Sequence, residues 1–170
     1  MARNARPGAD PARWVTALTI VSGGQTGVDR AALDVARKLG LPYGGYIPHG
    51  RWTEQGPLPG DYVGIVETER PAPSKRTKLN VRKSDATLII TRGECEGGTL
   101  LTAETARKAG KPLLIVDVDS LDEDAAAGAI SDWIAAIRPH RLNIAGPRAS
   151  KRPHIYAIAY GILLEALGGA

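Results

Sequence analysis

Leu18-Thr19-Ile20-Val21-Ser22-Gly23-Gly24-Gln25-Thr26-Gly27-Val28-Asp29-Arg30 decides the fold, because a short β-branched run stops in a glycine-rich turn and gives way at once to helical spacing. Leu18 to Ser22 reads as a buried strand and Gly23 to Gly27 as a tight loop. Val28, Ala32, Val35 and Leu39 then recur at intervals of four, three and four, and Gly40 with Pro42 supplies the stop. A strand, a glycine loop and an amphipathic helix in this order open a βα unit. Glycines at such a turn let backbone N–H groups approach an anion, and the helix N-terminus adds positive potential. The motif has neither the Lys of a Walker loop nor the GxGxxG spacing, so tight packing alone also accounts for its glycines.

The same alternation continues along the chain. Tyr43 to Ile47 fits a second strand, and His49 to Gly60 fits a long ordered loop of the kind that often carries function. Ser74 is placed to cap a short helix bearing Arg76, Thr77 and Asn80. Ala86 to Thr91 is the clearest buried strand, and Gly97-Gly98-Thr99 opens a helix running to about Lys108. Leu113 to Val118, a helix from about Leu121 to Ile137, and a last strand from Leu142 to Ala145 follow. The final helix sets Ile155, Ile158, Ala159, Ile162, Leu163 and Ala166 on one stripe. Continuous apolar strands separated by helices predict an α/β, Rossmann-like three-layer fold, with a mostly parallel sheet and helices on both faces. Ligands of such sheets bind beyond the carboxyl ends of the strands, where the loops beginning at Gly23, Gly93 and Gly146 should meet in one cleft.

Composition bounds the rest. The chain has 170 residues, 43% apolar, with one Cys, 20 Gly and 12 Pro. Domains typically run to about 100–150 residues, so a single domain over residues 15–170 is expected, preceded by a disordered basic tail over 1–14. One Cys cannot form an internal disulfide, which fits a cytoplasmic home, and no run reaches the ~20 apolar residues that span a bilayer. The formal net charge is +4, with 22 Lys and Arg against 18 Asp and Glu. Six basic residues and no acid lie between Arg70 and Lys83, five between Arg138 and His154, and five acids between Asp117 and Asp124. Segregation of this kind is commonly a set of solvated faces, but two basic runs converging on a cleft would hold an anion. Nucleic-acid binding is disfavoured, since aromatics make up 5% of the chain and no binding motif is present.

Individual residues sharpen the anion reading. Thr99 follows a second glycine pair and can cap its helix or bond a phosphate oxygen. Asp29 sits in the first turn of the first helix, where it either complements the helix dipole or accepts hydrogen bonds from ribose hydroxyls or a heterocycle's amino group. Arg76, Thr77 and Asn80 share a helix face, and Arg76 can take phosphate bidentately, although a solvated face explains the spacing equally well. Trp52, next to Arg51, either stacks on a planar ligand or anchors its Pro-rich loop. Cys95 lies between Glu94 and Glu96, which disfavour its thiolate. His49, His140 and His154 lack metal-ligand spacing, so no metal site is expected.

Taken together, Ser22 to Arg30, Pro48-His49-Gly50-Arg51 with Glu54 and Gly56-Pro57-Leu58-Pro59, Arg76-Thr77 with Asn80, Ser84 to Ile89, Gly97-Gly98-Thr99 and Asn143 to Arg148 resemble the SLOG superfamily. Within it they resemble the YpsA-related group of candidate molybdenum cofactor carriers. The resemblance implies a Rossmann-like fold, homo-oligomers, and a nucleotide-like or pterin-phosphate ligand in the loop cleft. Molybdenum cofactor carries a phosphate and a planar pterin, which suits the glycine loops, Arg51, Arg76, Arg148 and the carboxylate of Asp29. Another branch, the nucleoside-monophosphate phosphoribohydrolases, has a PGGxGT loop with a Glu three residues after the Thr. Thr102 stands there in this chain, and the nearest acid is Glu104, so N-glycosidic hydrolysis lacks its carboxylate.

The expected function is therefore the binding of a phosphorylated small molecule, with Gly23, Gly24, Gln25, Thr26, Gly27, Asp29, Arg51, Arg76, Thr77, Asn80, Gly97, Gly98, Thr99 and Arg148 at the site. No membrane or nucleic-acid partner is expected. The alternative is a nucleotide hydrolase with Asp29 or Glu104 as acid or base. A charge introduced by Gly24→Asp is expected to abolish binding and spare the fold.

Overall fold

The structure, a computed structural model, describes residues 18–168. The basic tail expected over 1–14 lies outside the described residues. Six strands form one sheet: β1 (Thr19–Val21), β2 (Tyr43–Ile47), β3 (Ile65–Glu67), β4 (Ala86–Thr91), β5 (Leu113–Asp117) and β6 (Arg141–Ala145). Their order is β3-β2-β1-β6-β4-β5, and every pairing is parallel. Five helices connect or follow them: α1 (Val28–Leu39), α2 (Pro73–Arg82), α3 (Gly97–Lys108), α4 (Glu123–Ile137) and α5 (Ile155–Gly168).

Crossovers between parallel strands are nearly always right-handed, which puts α1 and α4 on one face and α2 and α3 on the other. Helix pairing agrees, since α5 packs on α1 and α4 while α2 packs on α3. Leu88, Ile90, Leu142 and Ile144 from the central strands meet Ile130, Ile134, Ile162 and Leu163 in the main core, all fully buried. Each such side chain contributes roughly 1.5–3 kcal/mol when taken out of water, so the apolar strand runs dictate a sheet covered on both sides.

Local differences from the sequence reading have identifiable causes. Pro73 takes the first helical position of α2, with Ala72 preceding it in extended conformation, so Ser74 is not the cap; Pro is pre-set for that position and needs no N–H there. Strand β3 falls in a passage to which the sequence reading assigns no element, because Ile65-Val66-Glu67 is half-buried at most and sits at a sheet edge. Helix α4 begins at Glu123 because Asp122 caps it, accepting from the Ala125 N–H at 2.8 Å. Chain direction across the sheet reverses between β6, which feeds α5 on one face, and β4, which feeds α3 on the other. A crevice opens at that point beyond the carboxyl ends of the strands.

Candidate functional site

The crevice holds a cavity of about 460 Å³, within the usual size range of small-molecule sites. Its walls come from the loops after β1, β4 and β6, the first turn of α2, and Trp52. The loop after β1 is held by its own side chains. Ser22 Oγ donates to the Asp29 carbonyl at 2.8 Å and accepts from the Gly24 N–H at 3.2 Å. Asp29 Oδ2 accepts from the Gln25 N–H at 3.2 Å and from Arg76 Nη1 at 3.2 Å. Gly23 permits this pair, since a Cβ there would lie 1.5 Å from Arg76 Nη1. Burial pushes the Asp29 carboxyl above its ordinary range, only partly opposed by the Arg76 charge and the Gln25 N–H.

The long loop after β2 is tied to both neighbouring loops through Glu54. Gln25 Oε1 accepts from the N–H groups of Thr26 and Glu54, both at 3.0 Å. The Glu54 carboxylate accepts from the Thr26 and Ser150 hydroxyls and from the Ser150 N–H at 3.1 Å, and Arg148 Nε lies 3.6 Å away. Burial alone would raise the Glu54 pKa, but these hydrogen bonds and the Arg148 charge outweigh it and hold the carboxyl below its ordinary value. Trp52, 47% exposed, stands at the cavity wall on this tethered loop.

Across the cavity, α3 presents its first turn without a side-chain cap. The N–H groups of Thr99 and Leu100 both reach the Glu96 carbonyl, at 3.0 and 3.2 Å. Gly97 and Gly98 are exposed, and among the described residues nothing accepts from their N–H groups. These are the orphan donors of a helix start, aimed where an anion gains most. Arg148, Lys151 and Arg152 line the same space, with Arg152 3.6 Å from Glu96.

Of the residues singled out by sequence, the structure brings Gln25, Asp29, Arg76, Thr77, Gly97, Gly98, Thr99 and Arg148 to the cavity wall, and Gly23 lies directly behind Arg76. The others serve elsewhere. Gly24 has φ +69°, and its Cβ position faces Ile47 Cδ1 at 3.1 Å and Leu58 Cδ2 at 3.2 Å, so a carboxylate there would enter an apolar cluster and not the cavity. Gly27 packs against the loop after β6, with the Pro147 carbonyl 2.3 Å from its Cβ position. Thr26 is spent on Glu54 and on the Ala149 N–H at 3.1 Å. Arg51 anchors its own loop, donating to the carbonyls of Leu58, Pro59 and Tyr62. Asn80 clamps β2, accepting from the Tyr46 N–H at 2.7 Å and donating to its carbonyl at 3.0 Å.

The two readings of Arg51 and Trp52 thus divide, with the arginine as anchor and the tryptophan at the wall. Glu104 is exposed on α3 and does not line the cavity; Thr102 faces inward instead. Cys95 lies outside this cavity with its thiol pKa raised, chiefly by burial, so the flanking carboxylates are not the main cause. Lys151 and Arg152 were legible only as members of a basic run.

Comparison with known proteins adds a family. The family model of the circularly permutated YpsA SLOG family matches residues 20–167. The chain is similar to the crystal structure of a candidate molybdenum carrier protein from Syntrophus aciditrophicus SB, with 45% identity and a TM-score of 0.85, over 89% of this chain and 96% of that one. No match is found among curated proteins. Among the described residues no helix is long and apolar enough to cross a membrane, and no cluster of three or more His, Cys, Asp or Glu could hold a metal ion.

Proposed function

The chain belongs to the circularly permutated YpsA SLOG family, and on that premise we propose that it is a binding and carrier protein for a phosphorylated heterocycle, either molybdenum cofactor or a nucleotide. The observation that carries the reading is the pairing, in one cavity, of two orphan N–H groups at the start of α3 with the basic side chains of Arg148, Lys151 and Arg152. The name of the Syntrophus protein agrees with a carrier role.

The cavity suits such a cargo on three counts. Gly97 and Gly98 would donate to phosphate oxygens at the helix N-terminus, with Thr99 beside them. Trp52 and Pro147 offer flat apolar surface to a ring. Arg76 stands at the cavity wall with Nη2 uncommitted among the described residues, so the guanidinium has donor capacity left over. Phosphate and ring would thus be held by different loops. The reading places the protein in the cytoplasm as a homo-oligomer, which light scattering would check.

A thermal-shift panel of nucleotides, phosphorylated sugars and molybdopterin tests it, because ligand at 100 times its dissociation constant stabilises by about 2.7 kcal/mol. A rise in Tm with a phosphorylated heterocycle is expected, and no rise with any phosphorylated compound would overturn the reading. Hydrolysis of a nucleoside monophosphate is favoured by one feature only, the buried, cavity-facing Asp29 carboxyl with its raised pKa. Release of free base by the wild type, absent in Asp29→Asn, would establish it in place of the carrier.

A further inference from the structure

Asp29 places a carboxylate with a side chain only 6% exposed on the wall of a cavity read as an anion site. A carboxylate repels phosphate, so this one must face another part of the ligand. Its two oxygens differ. Oδ2 is spent on the Gln25 N–H and on Arg76 Nη1. Oδ1 accepts from no group among the described residues and is not sealed from solvent, so its small exposure opens on the cavity. Arg76, beside it on the same wall, has Nη2 uncommitted among the described residues. An acceptor beside a donor matches a heterocycle edge that carries an amino group and a carbonyl on either side of a ring N–H.

Position separates this match from a ribose contact. Asp29 follows β1 and Gly97 follows β4, with β6 between them, and two strand spacings make about 10 Å. Ribose hydroxyls lie closer to the phosphorus of a 5′-phosphate than the far edge of the base does, so the far edge is the part suited to a carboxylate two strands away from a phosphate on Gly97 and Gly98. Trp52 lines the cavity two residues before Glu54, and its loop is tied to the Asp29 side, since the Glu54 N–H donates to Gln25 Oε1 and the Gln25 N–H donates to Asp29. A planar ring therefore has a wall alongside its polar edge.

Resting on the phosphorylated-heterocycle reading, we infer that Asp29 Oδ1 recognises the exocyclic amino group of a 2-amino-4-oxo fused pyrimidine, the edge shared by guanine and pterin. Arg76 takes the carbonyl on the other side of the intervening ring N–H. A site built to accept from an amino group discriminates against the ligand that lacks it, because the buried acceptor is left unpaired.

The test measures dissociation constants by calorimetry for GMP against IMP, and for 6-hydroxymethylpterin monophosphate against its 2-oxo, lumazine counterpart. At least one amino ligand should bind about tenfold or more tightly than its partner, and whichever pair binds identifies the ring. In Asp29→Asn, checked for folding by its melting curve, the preference should collapse towards unity. Equal affinities within a pair in the wild type would overturn the inference while leaving the phosphate reading intact, and so would a preference that survives in folded Asp29→Asn. No binding by any of the four would overturn the inference, and the phosphate reading falls with it if the wider thermal-shift panel also gives no rise. The wild-type ratio decides the matter even if Asp29→Asn does not fold.

Discussion

An ideal Cβ at Gly98 meets nothing within 4 Å, whereas at Gly24 it meets Ile47 and Leu58. The two glycines look alike in sequence, yet they predict opposite phenotypes. Gly98→Asp puts a carboxylate at the orphan N–H groups of α3 and should abolish phosphate-dependent binding with Tm nearly unchanged. Gly24→Asp buries a charge at positive φ and should cost about 3 kcal/mol, worth ~6–12 °C in Tm at this chain length. Melting curves with and without ligand separate the two. Glu54 gives a pH test. Its carboxyl lies below the ordinary value of 4.5 in the folded protein, so ionised Glu54 adds stability that is present above about that pH and lost as pH falls through the folded pKa. Glu54→Gln should therefore melt below the wild type at pH 7, with the gap closing as pH falls through the folded pKa, below 4.5. A gap independent of pH would contradict the charge-assisted role. Asp29 and the Gly97-Gly98 pair were legible in the sequence because residue type and distance from a strand end suffice to find them. The partners of Arg51 were not, since they lie on a loop whose path no periodicity encodes.

At the scale of elements, the passage from His49 to Gly60 illustrates both what sequence shows and what it hides. Its length announced a special loop, but only the fold shows that Arg51 braces it from within and Glu54 pins it to the loops after β1 and β6. Lys cannot reproduce the planar guanidinium fork, so Arg51→Lys should lose about 1–3 kcal/mol of stability. Because Arg51 does not touch the cavity, the salt dependence of ligand binding should stay unchanged; a weaker salt dependence would put Arg51 against the phosphate after all. Asn80 makes the same point for α2. It shared a helical face with Arg76 by spacing, but it closes on the Tyr46 backbone of β2 and so sets where α2 holds Arg76. Strand β3 escaped notice because one half-buried and two exposed edge residues carry no alternation, while β4, buried throughout, could hardly be missed.

For the whole molecule, alternation of buried strands with amphipathic helices was enough to predict the layers and the parallel sheet. The strand order β3-β2-β1-β6-β4-β5 was beyond it, because insertion of β6 between β1 and β4 depends on long-range pairing such as Ile20 with Leu142 and Thr87 with Asn143. That order matters for function. It spaces the loops of β1 and β4 on either side of β6 and so gives the cavity two chemically different ends. The net charge of +4 likewise acquires a place, since part of the basic run after Arg138 lines the cavity while the acids after Asp117 start α4.

The account stands on phosphate seated at the start of α3. An amide-resolved NMR titration reads this directly, using GMP and 6-hydroxymethylpterin monophosphate, each beside its dephosphorylated form. The Gly97 and Gly98 N–H resonances should shift and saturate with at least one phosphorylated ligand and stay in place with its dephosphorylated form. Binding that leaves both resonances unmoved, or moves them equally without the phosphate, would contradict it.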